Sequence, residues 1–180
     1  MTHYTWQQDL KVIYDRVTDR FRGGERNADA CVAAEEKSAL ASIGLQPINV
    51  FDYVEDFVPR GEPDWETFLL VAAARRDYFL HEQDRITTTE ELRSEELPER
   101  AAVLGGIPWL PRIIRKAQCF LEGGLCSDIM FGCGGDRQFL SEHEIHAADF
   151  LRVVWAARGD ETKILKYVQD RASRLESPLV

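Results

Sequence analysis

Residues 64–83, "DWETFLLVAAARRDYFLHEQ", decide the fold class. Trp65, Phe68, Leu69, Ala72, Arg76 and Phe79 recur at helical intervals. That spacing lays them along one side of an α-helix, whereas a strand would divide them between two faces. Asp64 stands where an N-cap belongs, its carboxylate available to the first free backbone N–H groups. Arg76 falls on the apolar side and is a small anomaly there.

The same period extends upstream. Trp6, Leu10, Ile13, Val17 and Phe21 share one face of a first helix. Thr5 with Gln8 resembles a capping box, and Gly23-Gly24 stops the helix. "AAEEKSALASIG" predicts a second helix ending at Gly44. "INVFDYVEDFV" has an alternation that also permits a strand, but Asp52, Glu55 and Asp56 suit a third helix with ordinary helix charge, ended by Pro59. Downstream, residues 85–104 open with the acid-rich "RITTTEELRSEELPER" and read as an exposed, mobile loop with one helical turn at most. "LGGIPWLPRIIRKAQCFLEGG" predicts a helix with Pro111 in its first turn and Gly123-Gly124 beyond its end. In "SEHEIHAADFLRVVWAARG", Ala148, Leu151, Val154 and Trp155 repeat at helical spacing up to Gly159. Asp160 then caps a last helix with Ile164, Leu165 and Val168 inward, followed by a frayed tail at 174–180. The expectation is an all-α, compact single-domain bundle spanning 1–180, with about six to seven helices and an acidic loop in its middle.

Composition narrows the function. Of 180 residues 44% are hydrophobic and 29% charged, and the net charge is −9. Such a surface disfavours nucleic acid and anionic membrane as partners. No apolar run approaches the roughly 18–20 residues of a membrane span. The N-terminal "MTHYTWQQDLKVIYDR" lacks the apolar core of a signal peptide. Cys31, Cys119, Cys126 and Cys133 are then expected as free thiols in a reducing cytoplasm.

Residues 105–140 form the candidate site region. Arg112, Arg115, Lys116 and Arg137 outnumber Glu122, Asp128 and Asp136, against an acidic remainder. Arg112, Arg115 and Lys116 can share a helix face. One reading is an anion site of Arg112, Lys116 and Arg137 with Trp109 or Phe131 as its apolar wall. The other is a solvated basic face, or a buried Asp136–Arg ion pair that ties two segments together. Within "DIMFGCGGDRQFL" (128–140), Cys133 sits among Gly132, Gly134 and Gly135, whose backbone can turn N–H groups toward one point. A cysteine beside a cation there can act as a nucleophile, with His143 or His146 as its assistant. It can equally be a small buried residue in a turn that presents Asp136 and Arg137.

Metal signatures are weak. Cys119, Cys126 and Cys133 lie seven apart with no C-x-x-C pair, and "HEIH" at 143–146 lacks the H-E-x-x-H arrangement. "GCGGDR" matches neither nucleotide-binding glycine pattern. No metal and no organic cofactor is required by these residues.

"GGIPWLPRIIRKA" and "CGGDRQFL" resemble the signature of an uncharacterised bacterial family, domain-of-unknown-function family 5069. The matching positions are Gly105, Gly106, Trp109, Leu110, Arg112, Lys116, Ala117, Cys133, Asp136, Arg137 and Phe139. The resemblance is strongest over 102–170 and implies where a site lies, without naming an activity. The sequence therefore supports a small-molecule enzyme or binding protein for an anionic metabolite, with Cys133, Asp136 and Lys116 as its reacting or orienting groups. The alternative is a non-catalytic helical interaction module, a homodimer in its simplest form, using the "FLLVAAA" face.

Overall fold

The computed structural model describes residues 1–175. The chain is all-α, with nine helices and one two-residue-per-strand hairpin among the described residues. Two compact units divide it, residues 1–88 and 89–180. The boundary falls inside the polar 85–104 stretch. The tail expected to fray from 174 lies, from residue 176 onward, outside the described residues.

Unit 1 holds α1 (Trp6–Arg22), α2 (Ala28–Cys31), α3 (Ala34–Ala41), α4 (Pro47–Arg60) and α5 (Trp65–His81). The apolar stripe of α1 is buried throughout, and Leu10, Val17, Val50, Val54 and Phe68 have no solvent contact. Tyr14, Tyr53, Trp65 and Phe68 form an aromatic cluster, with ring centroids 5.0–5.4 Å apart for Tyr53–Phe68, Tyr14–Trp65 and Tyr14–Phe68. Asp64 caps α5 as expected, accepting from the Thr67 N–H at 2.9 Å. Phe68, Val71, Ala72 and Ala74 of the "FLLVAAA" run lie in the core rather than on a free face.

Three terminus signals work differently from the expectation. Thr5 makes no cap to Gln8; its hydroxyl donates to Asp9 at 3.2 Å. Pro59 lies inside the last turn of α4, where its missing N–H removes only one bond, and Gly61 ends the helix in the left-handed region at φ 76°. Gly44 lies beyond α3, at φ 75°, where any Cβ would stand 2.5 Å from the Phe79 ring.

Unit 2 begins with a loop that is anchored as well as exposed. A 3-10 turn covers Ser94–Glu96, Leu92 and Leu97 are buried, and the Leu92 N–H donates to the Gly124 carbonyl at 2.7 Å. The hairpin follows, β1 (Val103–Leu104) against β2 (Ile107–Pro108). Its two-residue turn is Gly105-Gly106, both at positive φ, the requirement of a type I′ turn. Next come α6 (Leu110–Glu122), α7 (Gly134–Glu142), α8 (Ala147–Ala157) and α9 (Glu161–Leu175). The glycine-rich run is thus not simply a turn: its last two glycines open α7. Ile113, Ile114, Phe120, Phe139, Phe150, Leu151, Ile164 and Val168 build this unit's core.

Candidate functional site

The site grows from the junction of α6 and α7. Trp109 precedes α6 in the left-handed conformation, φ 66°, which a bulky residue adopts only where its surroundings hold it. Its indole N–H donates to Asp136 Oδ1 at 2.9 Å. Gly135 is small for the same reason: a Cβ there would come within 2.6 Å of the indole Cζ2.

Asp136 has no solvent exposure and sits in the first turn of α7. Its Oδ2 accepts from the Lys116 ammonium at 2.9 Å and from the Gly132 N–H at 3.0 Å. Three donors thus surround one buried carboxylate. Lys116, 4% exposed, donates to the Met130 carbonyl at 3.0 Å, to Cys133 Sγ at 3.1 Å and to Asp136. An ammonium has three hydrogens, and all three have partners. A buried charge is tolerated only when so paired, and removing one member leaves the other stranded.

The Arg137 guanidinium donates to the Gly132 carbonyl at 2.8 Å. Consecutive residues of α7 therefore grip both sides of Gly132, which needs its φ of 89° to make the turn. Cys133, the N-cap residue of α7, is held half-exposed between this loop and Lys116.

A cavity of about 210 Å³ opens onto this network, walled by Trp109, Arg112, Lys116, Cys133, Arg100 and Asp128. Arg112 donates to the Pro98 carbonyl at 2.7 Å, and its buried Nε has no hydrogen-bond partner. Its guanidinium lies 5.8 Å from the Trp109 ring centroid. Trp109 and Arg100 also border a second cavity of about 420 Å³ that includes Phe139 and His143.

Of the residues singled out in the sequence, Trp109, Arg112, Lys116 and Cys133 line this wall, with Asp136 directly behind them. Arg137 and Phe131 do not line it. Arg137 is committed to Gly132, and Phe131 is buried with its ring centroid 5.5 Å from that of Phe120. Arg115 leaves the Arg112–Lys116 side and lines an acid-rich cavity with Glu90, Glu91, Glu96 and Glu122. The ion pair of Asp136 runs to Lys116, not to an arginine. His143 directs Nδ1 at the Phe139 carbonyl, 2.8 Å away, and His146 caps α8. Arg100 and Asp128 were missed as wall residues; nothing in their spacing marks them, since the chain fold alone brings the loop back.

The thiols are not equivalent. Burial pushes the Cys119 thiol up to about 11 and raises Cys31 as well, which keeps both protonated. Cys133 alone among the four has an ammonium in hydrogen-bond contact. No group of metal-ligating side chains occurs among the described residues, and no described helix is long and apolar enough to cross a membrane.

Geometry thus defines a helical unit with a cation-walled cavity around one thiol. Compared with family models, curated proteins and solved structures, the chain matches none.

Proposed function

We propose that the protein binds a small anionic metabolite in the 210 Å³ cavity and that Cys133 is its reacting group. One observation carries this reading: Arg112, Arg100 and the Lys116–Cys133 contact converge on one wall, with Asp128 as its only carboxylate among the described residues. The cavity has room for several waters or a molecule of a few carbons. Arg112 brings its guanidinium to the cavity wall, a group suited to a carboxylate or phosphate. Trp109 gives the apolar side.

Cys133 would attack a carbonyl carbon of the bound anion. The C–S bond forms as the carbonyl π pair moves onto its oxygen, and the thiol proton passes through water to that oxygen, leaving a thiohemiacetal. The Cys133 sulfur lies beside the Lys116 ammonium at the amino end of α7. Asp136 is assigned positioning rather than proton transfer, because both oxygens are occupied by donors behind the wall. Four free thiols suit the reducing cytoplasm we assign to the chain. Kinship with family 5069 is part of the same proposal.

Alkylation tests it. Iodoacetate and iodoacetamide deliver nearly the same group, one with a negative charge and one without. Cys133 should favour iodoacetate over iodoacetamide more than a free thiol does, and Arg112→Gln should erase roughly tenfold of that preference, about 1.4 kcal/mol. Equal preference in both proteins, read by peptide mass spectrometry, would remove the anion site.

A further inference from the structure

Unit 1 carries a second cluster of cations that the thiol cavity does not involve. Arg76, the arginine that interrupts the apolar side of α5, is only 9% exposed. Its guanidinium lies 5.0 Å from the Trp6 ring centroid, and its Nη2 stands 2.8 Å from His3 Nδ1. From the other side, Arg85 Nη2 stands 3.3 Å from His3 Nε2. One imidazole is therefore held between two guanidiniums.

That arrangement is unsatisfied in every protonation state. Guanidinium nitrogens donate and never accept. A neutral imidazole offers one acceptor nitrogen, and an imidazolium none. At least one of the two contacts thus sets donor against donor. Arg76 Nε is also buried without a hydrogen-bond partner. Asp77, at 3.3 Å and half-exposed, is the one carboxylate paired with Arg76 among the described residues, and none of those residues' carboxylates pairs with Arg85. A cavity of about 120 Å³ opens here, lined by His3, Arg76 and Arg85 with Thr2 and Ser42. The two hydroxyls are engaged elsewhere, Thr2 with Thr5 and Ser42 with the Ala39 carbonyl. The cavity has surplus donors, too few acceptors, and space for about four waters.

We propose that this cavity binds a phosphate-class oxyanion, free or as a phosphomonoester, through Arg76, Arg85 and His3. Three separate side chains approach from different directions, which suits a tetrahedral group with several acceptor oxygens better than the two oxygens of a carboxylate. A bound oxyanion would take the surplus N–H groups of both arginines.

The experiment is thermal unfolding of the full chain against inorganic phosphate, with chloride at matched ionic strength. Acetate and glycerol phosphate are run in parallel. The expected result is a saturable rise of the midpoint with phosphate, diminished in Arg85→Gln and in His3→Gln and kept in Arg152→Gln, an exposed arginine that lines neither cavity. Arg85 is exposed, so its substitution should leave the fold intact. Glycerol phosphate acting as well as phosphate identifies a phosphomonoester ligand within the same proposal. Phosphate also stabilises proteins nonspecifically. A rise unchanged in Arg85→Gln, no saturation, or an equal response to acetate overturns the proposal.

Discussion

At the scale of single residues, Asp136 is the hub, because it converts a glycine-rich turn into a fixed object. Its three donors come from α6, from the residue before α6 and from the 132 turn. Asp136→Ala should lose about 3–5 kcal/mol of stability, since Lys116 would keep a buried charge without its counter-ion. The double variant Asp136→Leu/Lys116→Met should recover most of that loss. Urea unfolding of the unaltered chain, Asp136→Leu, Lys116→Met and the double variant gives the coupling directly. If the double variant loses the sum of the two single losses, the pair has no special role. The residue types of this network were legible in the sequence as a charged group beside a cysteine. Their directions were not: nothing in "GGDRQ" says that Asp136 turns inward to Lys116 while Arg137 turns back to a carbonyl, because that depends on where α6 lies.

Elements were legible where the period was long. The α1 and α5 helices follow from apolar spacing over four turns. The α1 helix buries the face expected of it, whereas α5 buries Phe68, Ala72, Arg76 and Phe79 but leaves Trp65 and Leu69 half-buried and adds Val71, Ala74 and Arg75 to its buried side. Short elements were hidden. Gly132–Gly135 reads as a breaker, yet α7 starts inside it, since burial of Asp136, Phe139 and Leu140 outweighs the roughly 1 kcal/mol that a helical glycine loses to alanine. The 103–108 hairpin escaped for another reason: two residues per strand leave no alternation to detect. Its two glycines make a controlled pair. Gly106 at φ 84° has open space around a would-be Cβ, so Gly106→Ala should cost about 1 kcal/mol of backbone strain alone. Gly105 at φ 58° would bring a Cβ within 2.5 Å of Leu165 Cδ2, so Gly105→Ala adds overpacking and should lose about 2–3 kcal/mol. Trimming Leu165 to Ala should bring the two glycine substitutions to equal cost, as read by denaturant midpoints.

For the whole molecule, the acidic balance sets how stability follows pH. The sequence reads Asp52, Glu55 and Asp56 as ordinary helix charge, and a count of acids says nothing about which of them is buried. Asp52 is largely withdrawn from water on α4. Burial, reinforced by the nearby Glu55 and Asp56 charges, pushes its carboxyl from 3.8 up to about 7. A folded-state value above the unfolded one means that the folded chain holds the proton more tightly. The associated stability is complete below about pH 4 and is lost as pH rises through about 7. Asparagine keeps the shape and removes the charge. Asp52→Asn should therefore be nearly neutral at pH 4, increasingly stabilising between pH 4 and 7, and constant above that. The gain at pH 8 should be on the order of 2 kcal/mol, discounted for the solvent that Asp52 still meets. Urea unfolding of both proteins from pH 4 to 8 checks the slope as well as the size. A gain that is the same at every pH would place its origin in packing or helix propensity, whereas only the proton gives a difference that opens across this window and then stops growing.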